Sequence, residues 1–143
     1  MKDLHNVIRT MTVIPSVAIG TTGTGQAGKI IDTQGYGGVE FIFNYGTITA
    51  TNAVITVVCQ EGDVTGTMTS VADADLLGTE LLAGVAAAVR TSGVSKNVTK
   101  RLGYKGSKRY VQISKVSSTV TAAPPISVTA ILHSPNLSAT PNP

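Results

Sequence analysis

One stretch near the N-terminus matches most of a phosphate-binding loop. Residues 23–29 read Gly-Thr-Gly-Gln-Ala-Gly-Lys, which satisfies the first seven positions of the pattern G-x-x-x-x-G-K-[ST]. The eighth position fails, because Ile30 stands where a Ser or Thr hydroxyl would coordinate magnesium. The residues that follow show no helix pattern whose N-terminus would receive a phosphate. We therefore interpret residues 23–29 as a Gly/Thr loop and expect no nucleotide or other cofactor.

Acid–base catalysis has little material in this sequence. The two histidines, His5 and His133, lie near opposite ends of the chain, and no pattern brings either one to a Ser or Cys nucleophile. Cys59 follows a run of β-branched residues, so we interpret it as a small buried strand residue rather than a reactive thiol. We expect no catalytic residues and no enzymatic activity.

Two short acidic segments are the candidates for metal binding. They contain Glu61, Asp63, Asp73 and Asp75. Their spacing lacks the central Gly and the closing bidentate Glu of the familiar calcium loop. Turn formation and helix capping explain these carboxylates more simply, so no metal site is predicted.

The densest group of charged side chains is basic and contains two tyrosines. Cations beside tyrosines can hold the phosphates of a nucleic acid, but a net charge of only +3 favours contact with protein carboxylates instead. Those carboxylates would belong to the same chain, to a neighbouring copy or to another protein surface. We predict a hairpin turn here, no direct contact with nucleic acid, and a protein-interaction role for six residues: Lys100, Arg101, Tyr104, Lys105, Lys108 and Arg109.

Charge is segregated along the chain. Residues 1–80 hold three cations and eight carboxylates, a net charge of −5, whereas residues 81–143 hold eight cations and no carboxylate side chain, a net charge of +8. Such a chain can pair with itself, with copies of itself or with a large acidic surface. The pattern favours an assembly component over an enzyme.

Length and composition indicate one β-rich domain. A chain of 143 residues has the usual size of a single domain, and its 13% charged residues lie well below the roughly 25% of an average soluble protein. Charged residues interrupt the first ten positions, and no apolar run approaches the roughly 20 residues of a membrane span. We expect no secretion signal, no membrane partner and synthesis in a cytoplasm.

From residue 29 onward, short β-branched runs alternate with clusters of Gly, Asp, Asn and Ser, which is typical of an antiparallel all-β domain. Within 39–45 the odd positions are apolar, the period of a half-buried strand. The predicted class is therefore an antiparallel β-sandwich. Six strands are predicted, at 29–32, 39–45, 53–60, 95–102, 109–117 and 126–132.

The other segments differ from this pattern. Residues 72–88 favour a short helical turn, with Asp73 or Asp75 as its N-cap before two leucines. We divide the chain into an N-terminal arm at 1–28, a β-sandwich domain at 29–133 and a C-terminal arm at 134–143. Such arms are either plain chain ends or extended segments that grip a neighbouring subunit.

Five stretches of the sequence resemble a group of small structural proteins of tailed phages, often encoded close to the major capsid protein. They are residues 1–6 (MKDLHN), 31–41 (IDTQGYGGVEF), 71–78 (VADADLLG), 103–111 (GYKGSKRYV) and 130–135 (AILHSP). A β-rich chain without catalytic residues looks most like a head decoration, or cement, protein. The resemblance implies a virion protein on the capsid surface, made in the host cytoplasm, that binds the major capsid protein across adjacent capsomers. It also implies a homo-oligomer, expected to be a trimer.

A second resemblance concerns residues 102–111, which are similar to a segment of jelly-roll carbohydrate-binding modules, where a Gly-rich turn precedes an Arg-Tyr-Val strand. It implies jelly-roll character for the sandwich. The chain has no Trp to serve as a sugar platform, so the fold does not establish sugar binding. A neck, tail or fibre-attachment component and a virion-borne glycan-binding module remain as alternatives.

Overall fold

The computed structural model describes residues 4–18, 25–46, 54–85, 97–118 and 125–136. A 3₁₀ turn at Asp73–Asp75 and helix α1 at Glu80–Ala83 lie among the strands of these ranges. The strands are β1 (Arg9–Ala18), β2 (Gly25–Ala27), β3 (Ile31–Asp32), β4 (Tyr36–Tyr45), β5 (Val54–Val64), β6 (Thr67–Ser70), β7 (Leu76–Leu77), β8 (Val98–Tyr104), β9 (Tyr110–Ser118) and β10 (Pro125–Pro135).

The strands form two antiparallel sheets that enclose one core. Sheet A has the order β1-β10-β4-β8-β7, and sheet B has the order β2-β9-β5-β6, with β3 also paired to β9. Except for the pairs β5–β6 and β7–β8, strands that are neighbours in a sheet are not consecutive in the chain, as jelly-roll connections require. The prediction of an antiparallel β-sandwich with jelly-roll character is confirmed.

The alternation read from residues 39–45 decides which face of β4 turns inward. Val39, Phe41, Phe43 and Tyr45 are buried, while the residues between them are half-buried or exposed. Each such large side chain contributes roughly 1.5–3 kcal/mol when removed from water. Cys59 is also fully buried, as predicted, and burial raises the pKa of its thiol to about 12.

The sandwich begins earlier than predicted. Where the sequence predicts an arm at 1–28, the structure has β1 paired with β10 and β2 paired with β9. Val13 and Ile14 are buried, so this segment contributes to the core. The register of its pairing with β10 shifts around Pro15. Because β1 is an edge strand, it tolerates a proline that cannot donate a hydrogen bond to the sheet. At the other end β10 extends to Pro135, and residues 137–143 lie outside the described residues.

The predicted helical turn is divided between three short elements. Asp73–Asp75 form the 3₁₀ turn, and Leu76–Leu77 pair with β8 as strand β7. The predicted N-cap is wrong, because Thr79 caps α1 by accepting a hydrogen bond from the Leu82 amide at 3.1 Å. The two leucines pair with the edge of β8 as a strand, so the helix begins only after Gly78. The φ of +93° at Gly78 suits glycine.

Helix α1 covers an edge of the sandwich between β8 and β5. The backbones of Val85 and Ile55 exchange two hydrogen bonds, at 2.8 and 2.9 Å, and the carboxylate of Glu80 accepts one from the Cys59 amide. The part of β5 beyond the reach of β6 is thereby protected from pairing with foreign strands. Within the described ranges, no helix is long and apolar enough to cross a membrane.

Candidate interaction surface

The basic segment between β8 and β9 is an inter-sheet crossover, so the predicted hairpin is wrong. β8 pairs with β4 and β7 in sheet A, whereas β9 pairs with β2, β3 and β5 in sheet B. Residues 105–109, here called the crossover, therefore carry the chain from one sheet to the other. A Gly-containing turn serves either connection equally well, and the strand partners decide between them.

Tyr104 anchors the start of the crossover inside the protein. Its ring is only 2% exposed, and its hydroxyl donates to Oε2 of Glu61 on β5 at 2.6 Å. The same oxygen accepts from the Lys108 amide at 3.1 Å. Burial and the bond to Glu61 raise the pKa of Tyr104. This predicted interaction residue thus holds the two sheets together and does not face solvent.

Two ion pairs fasten the other end of the crossover to the acidic part of the chain. Lys108 Nζ lies 2.5 Å from Oδ2 of Asp63, at the end of β5. The Arg109 guanidinium donates hydrogen bonds to the Asp32 carboxylate, with Nη2–Oδ2 at 2.8 Å and Nε–Oδ1 at 3.1 Å. These cations lower the pKa of both carboxyl groups. The segregated charges of the sequence therefore meet, in part, within one molecule.

The three remaining predicted residues have different environments. Lys100 turns inward, donates to the carbonyl oxygen of Gly84 and lies 6.0 Å from the centre of the Tyr45 ring, and burial lowers its pKa. Arg101 is 81% exposed and its Nε is 3.8 Å from Glu40. Lys105 is exposed, and no ion pair of its side chain occurs in the described part of the chain. Arg101 and Lys105 are thus the cations of this group most available to a partner.

The crossover lies where four of the five stretches quoted for the first sequence resemblance converge. Asp32 pairs with Tyr110, Tyr36 with Pro135, and Leu76 with Tyr104. The amide of Lys105 adds a hydrogen bond of 2.9 Å to the Asp75 carbonyl oxygen. Residues 31–36, 71–77, 104–110 and 133–136 therefore form one end of the sandwich, here called the crossover end.

Sequence reasoning missed several features that burial alone reveals. Lys115 on β9 is 1% exposed, its ammonium has no hydrogen-bond partner among the described residues, and burial lowers its pKa to about 8. Conversely, Leu77, Leu81 and Leu82 are largely exposed. For Lys115 the sequence offers one signal, because the residue follows inward-facing Val111 and Ile113 at alternate positions of β9. For the exposed leucines, neither charge nor periodicity in the sequence gives a signal.

The Gly/Thr loop and His133, which were weighed for cofactor binding and catalysis, contact other groups of the chain. The described part of the Gly/Thr loop includes β2, and the Gly28 amide donates to the carbonyl of Ile113. His133 Nδ1 lies 3.0 Å from the hydroxyl oxygen of its neighbour Ser134. In the ranges that the structure describes, no three His, Cys, Asp or Glu side chains are grouped as metal ligands.

A cavity of about 320 Å³ opens on sheet A at the end away from the crossover. Its wall includes Ser127, Asn44 and Thr99, which lie opposite one another on adjacent strands β10, β4 and β8, and Ser16 of β1. Thr99 donates a hydrogen bond of 3.0 Å to the Asn44 side chain. The described lining carries no charged side chain, so this cavity suits a neutral, hydrogen-bonding ligand.

Comparison with known proteins adds similarity of fold. No family model and no curated protein matches the chain. A solved structure of a Bacillus endospore appendage pilus protein is 14% identical, with 91% of this chain and 90% of that chain covered and a TM-score of 0.45. A family 35 carbohydrate binding module from Clostridium thermocellum is 12% identical, with coverages of 89% and 92% and a TM-score of 0.42. A chain of the infectious bursal disease virus Gx strain is 10% identical over 92% of this chain and 34% of its own, with a TM-score of 0.46.

Proposed function

We propose that this protein decorates the head of a tailed phage, where it binds the outer surface of the major capsid protein and stabilises the shell across adjacent capsomers. The observation that carries the proposal is the convergence of four phage-like stretches at the crossover end. A resemblance that reflected the sandwich alone would fall on both ends of the strands. If the resemblance reflected a shared docking surface, the resembling stretches would instead lie together at one end of the sandwich.

The crossover end has the physical properties that docking requires. Tyr104, Lys108 and Arg109 are tied to β5 and to the segment around β3, so this end is ordered before a partner arrives. Pre-ordering lowers the entropic cost of binding. Lys105 remains exposed for contact with carboxylates of the capsid. On a symmetric shell, many modest contacts add up, because subunits that engage neighbouring capsomers bind with the avidity of linked sites.

The proposal is tested by adding the purified protein to isolated heads that lack it. We expect saturable co-sedimentation at micromolar concentration, in simple ratio to capsid subunits, and a higher disruption temperature of the heads by calorimetry. Heads that bind none of the protein at this concentration would remove the proposal. In intact virions, quantitative mass spectrometry should find the same ratio, whereas a few copies at a single vertex would indicate a neck, tail or fibre-attachment protein.

A second candidate function, glycan binding, is favoured by the cavity on sheet A. Its side-chain hydroxyls and amide both donate and accept hydrogen bonds, which matches the hydroxyl groups of a neutral sugar. A glycan array followed by calorimetry on any hit tests this function. Asn44→Ala should abolish such binding, while Thr67→Ala, on the distant strand β6, should leave it unchanged. A blank array would eliminate this candidate without touching the decoration proposal.

A further inference from the structure

We infer that a cavity between β5 and the segment at 80–85 binds the acetamido group of an N-acetylated sugar. This cavity, here called the edge gap, has a volume of about 210 Å³. Its lining consists of residues 54–57 of β5 with Glu80, Leu81, Gly84 and Val85. The edge gap is separate from the cavity on sheet A, because no residue lines both.

The hydrogen-bond pattern of β5 directs the backbone of Val57 into the edge gap. Ile55 exchanges two hydrogen bonds with Val85, so its N–H and C=O point away from β9. The amide of Cys59 points the same way, since it donates to the Glu80 carboxylate. Residues of an antiparallel strand alternate between its two neighbours, and the pairing of β5 with β9 has no register shift. Val57, midway between Ile55 and Cys59, therefore also turns its N–H and C=O away from β9.

These two backbone groups lack a protein partner. Among the described residues, no hydrogen bond reaches the Val57 N–H or C=O on the side away from β9. Val57 is only 2% exposed, so bulk water compensates poorly for the missing bonds. Buried backbone groups without partners cost free energy, which a ligand that bonds to both would recover. A secondary amide is such a ligand, because it carries one C=O and one N–H.

The closed ends of the edge gap determine which kind of amide fits. The pairing of Val85 with Ile55 blocks one end, and the Glu80 carboxylate on the Cys59 amide blocks the other. An extended peptide would have to continue along the strand edge in both directions, so the gap excludes it. The volume of about 210 Å³ is also below the roughly 300–1,000 Å³ of typical ligand sites. An amide at the end of a small group fits, and an acetamido group is one.

Glu80 and Leu81 favour a sugar as the carrier of this group. One carboxylate oxygen of Glu80 accepts from the Cys59 amide, and the other has no hydrogen bond or ion pair in the described ranges. It can therefore accept from a hydroxyl beside the acetamido group, which a sugar supplies. Leu81 lines the gap although it is 76% exposed, so it offers apolar contact to the acetyl methyl group at the mouth.

The inference does not rest on the decoration proposal, and its test uses the isolated full-length protein. In a ¹⁵N–¹H NMR titration with N-acetylglucosamine up to about 50 mM, we expect a saturable shift of the Val57 amide resonance. The dissociation constant should be on the order of 1 mM, because one small group anchors the sugar. Glucose lacks the acetamido group and is the matched control ligand, which should leave this resonance unchanged.

Variants test the walls of the edge gap. Glu80→Gln keeps an oxygen for the Cys59 amide but replaces the oxygen offered to the sugar hydroxyl with an NH₂ group, so affinity should fall about threefold or more. Leu81→Ala should also weaken binding. Leu82→Ala is the matched control, since this neighbour does not line the gap and the variant should bind like the wild type. Asn44→Ala, in the cavity on sheet A, should also bind like the wild type.

Three outcomes would overturn the inference. They are a Val57 resonance that does not move at the highest concentration, an equal shift with glucose, and binding of the peptide analogue N-acetylalanine methylamide at least as tight as that of the sugar. The last outcome would assign the edge gap to a peptide. None of them bears on the binding of the protein to phage heads, so the decoration proposal would stand or fall separately.

Discussion

The hydroxyl of Tyr104, at the end of β8 in sheet A, lies 2.6 Å from the Glu61 carboxylate on β5 in sheet B. This bond joins the two sheets where the chain crosses between them. The amide of Lys108 donates to the same hydroxyl oxygen, and Gly106 packs so closely on the ring that a Cβ there would lie 2.5 Å from it. The crossover is therefore folded around one buried phenol.

Replacing Tyr104 with Phe should destabilise the protein by about 1–2 kcal/mol, because two hydrogen bonds at one buried hydroxyl are lost while the ring is kept. Urea unfolding measured by far-UV circular dichroism gives the change. Tyr110→Phe is the control, since no hydrogen bond of the Tyr110 hydroxyl is found in the described residues. Equal stability of the two variants would show that the bond to Glu61 contributes nothing.

Acid should unfold the protein partly through the crossover. Arg109 lowers the pKa of Asp32 below the ordinary value of 3.8, so the pair contributes stability above that pH and loses it as the pH falls through the folded-state pKa. Asp32→Asn keeps the oxygen that accepts from the Gln34 amide, but it removes the charge and one of the two oxygens that accept from Arg109. Its stability should fall less steeply than that of the wild type between pH 5 and pH 2. Parallel curves of unfolding free energy against pH would contradict this account.

Lys115→Met should stabilise the protein. Burial lowers the pKa of Lys115 from 10.5 to about 8, so at pH 7 the folded protein bears the cost of a desolvated ammonium. Removing it should raise the unfolding free energy by about 1–3 kcal/mol. Wild-type stability should also increase as the pH rises from about 8 towards 10.5, since the unfolded chain there binds more protons, and the variant should lack this increase. Lys105→Met, at an exposed position, is the control and should change neither quantity.

Lys105→Glu should weaken docking on phage heads without loss of fold. Its side chain makes no ion pair in the described residues, so reversal of its charge acts on a partner alone. The loss should be largest at low salt and shrink as salt screens the contact. Reversing Lys108 or Arg109 would also break the pairs with Asp63 and Asp32, and that effect appears as lower stability. Lys29→Glu controls for net charge, and equal affinities of the two variants for heads would contradict a role for Lys105.

The sequence predicts the strands better than it predicts their neighbours. The two-residue period of residues 39–45 identifies the inward face of β4, and the β-branched run before Cys59 identifies β5. Residues 9–18 are missed as a strand, because Pro15 and the register shifts around it disturb the period. Pairing with β10 and burial of Val13 and Ile14 outweigh the weak local signal.

The candidate interaction residues illustrate the same division. Sequence locates the basic cluster and its tyrosines, but Tyr104 and Lys100 point inward, Lys108 and Arg109 find carboxylates in their own chain, and Arg101 and Lys105 stay exposed. Partners of these cations lie up to 77 positions away in the chain. The sequence around each cation therefore does not predict which distant residue it contacts.

By itself, the sequence determined the all-β class, the inward residues of the most regular strands and the segregation of charge. Periodicity and composition act over a few neighbouring residues, which is why they are legible in one dimension. The tertiary structure decided that the basic turn crosses between sheets, that Lys115 is enclosed and that the leucines of α1 are exposed. These outcomes depend on which distant strands exchange hydrogen bonds and bury a common core. That pairing is determined by the free energy of the whole chain and not by neighbouring residues alone.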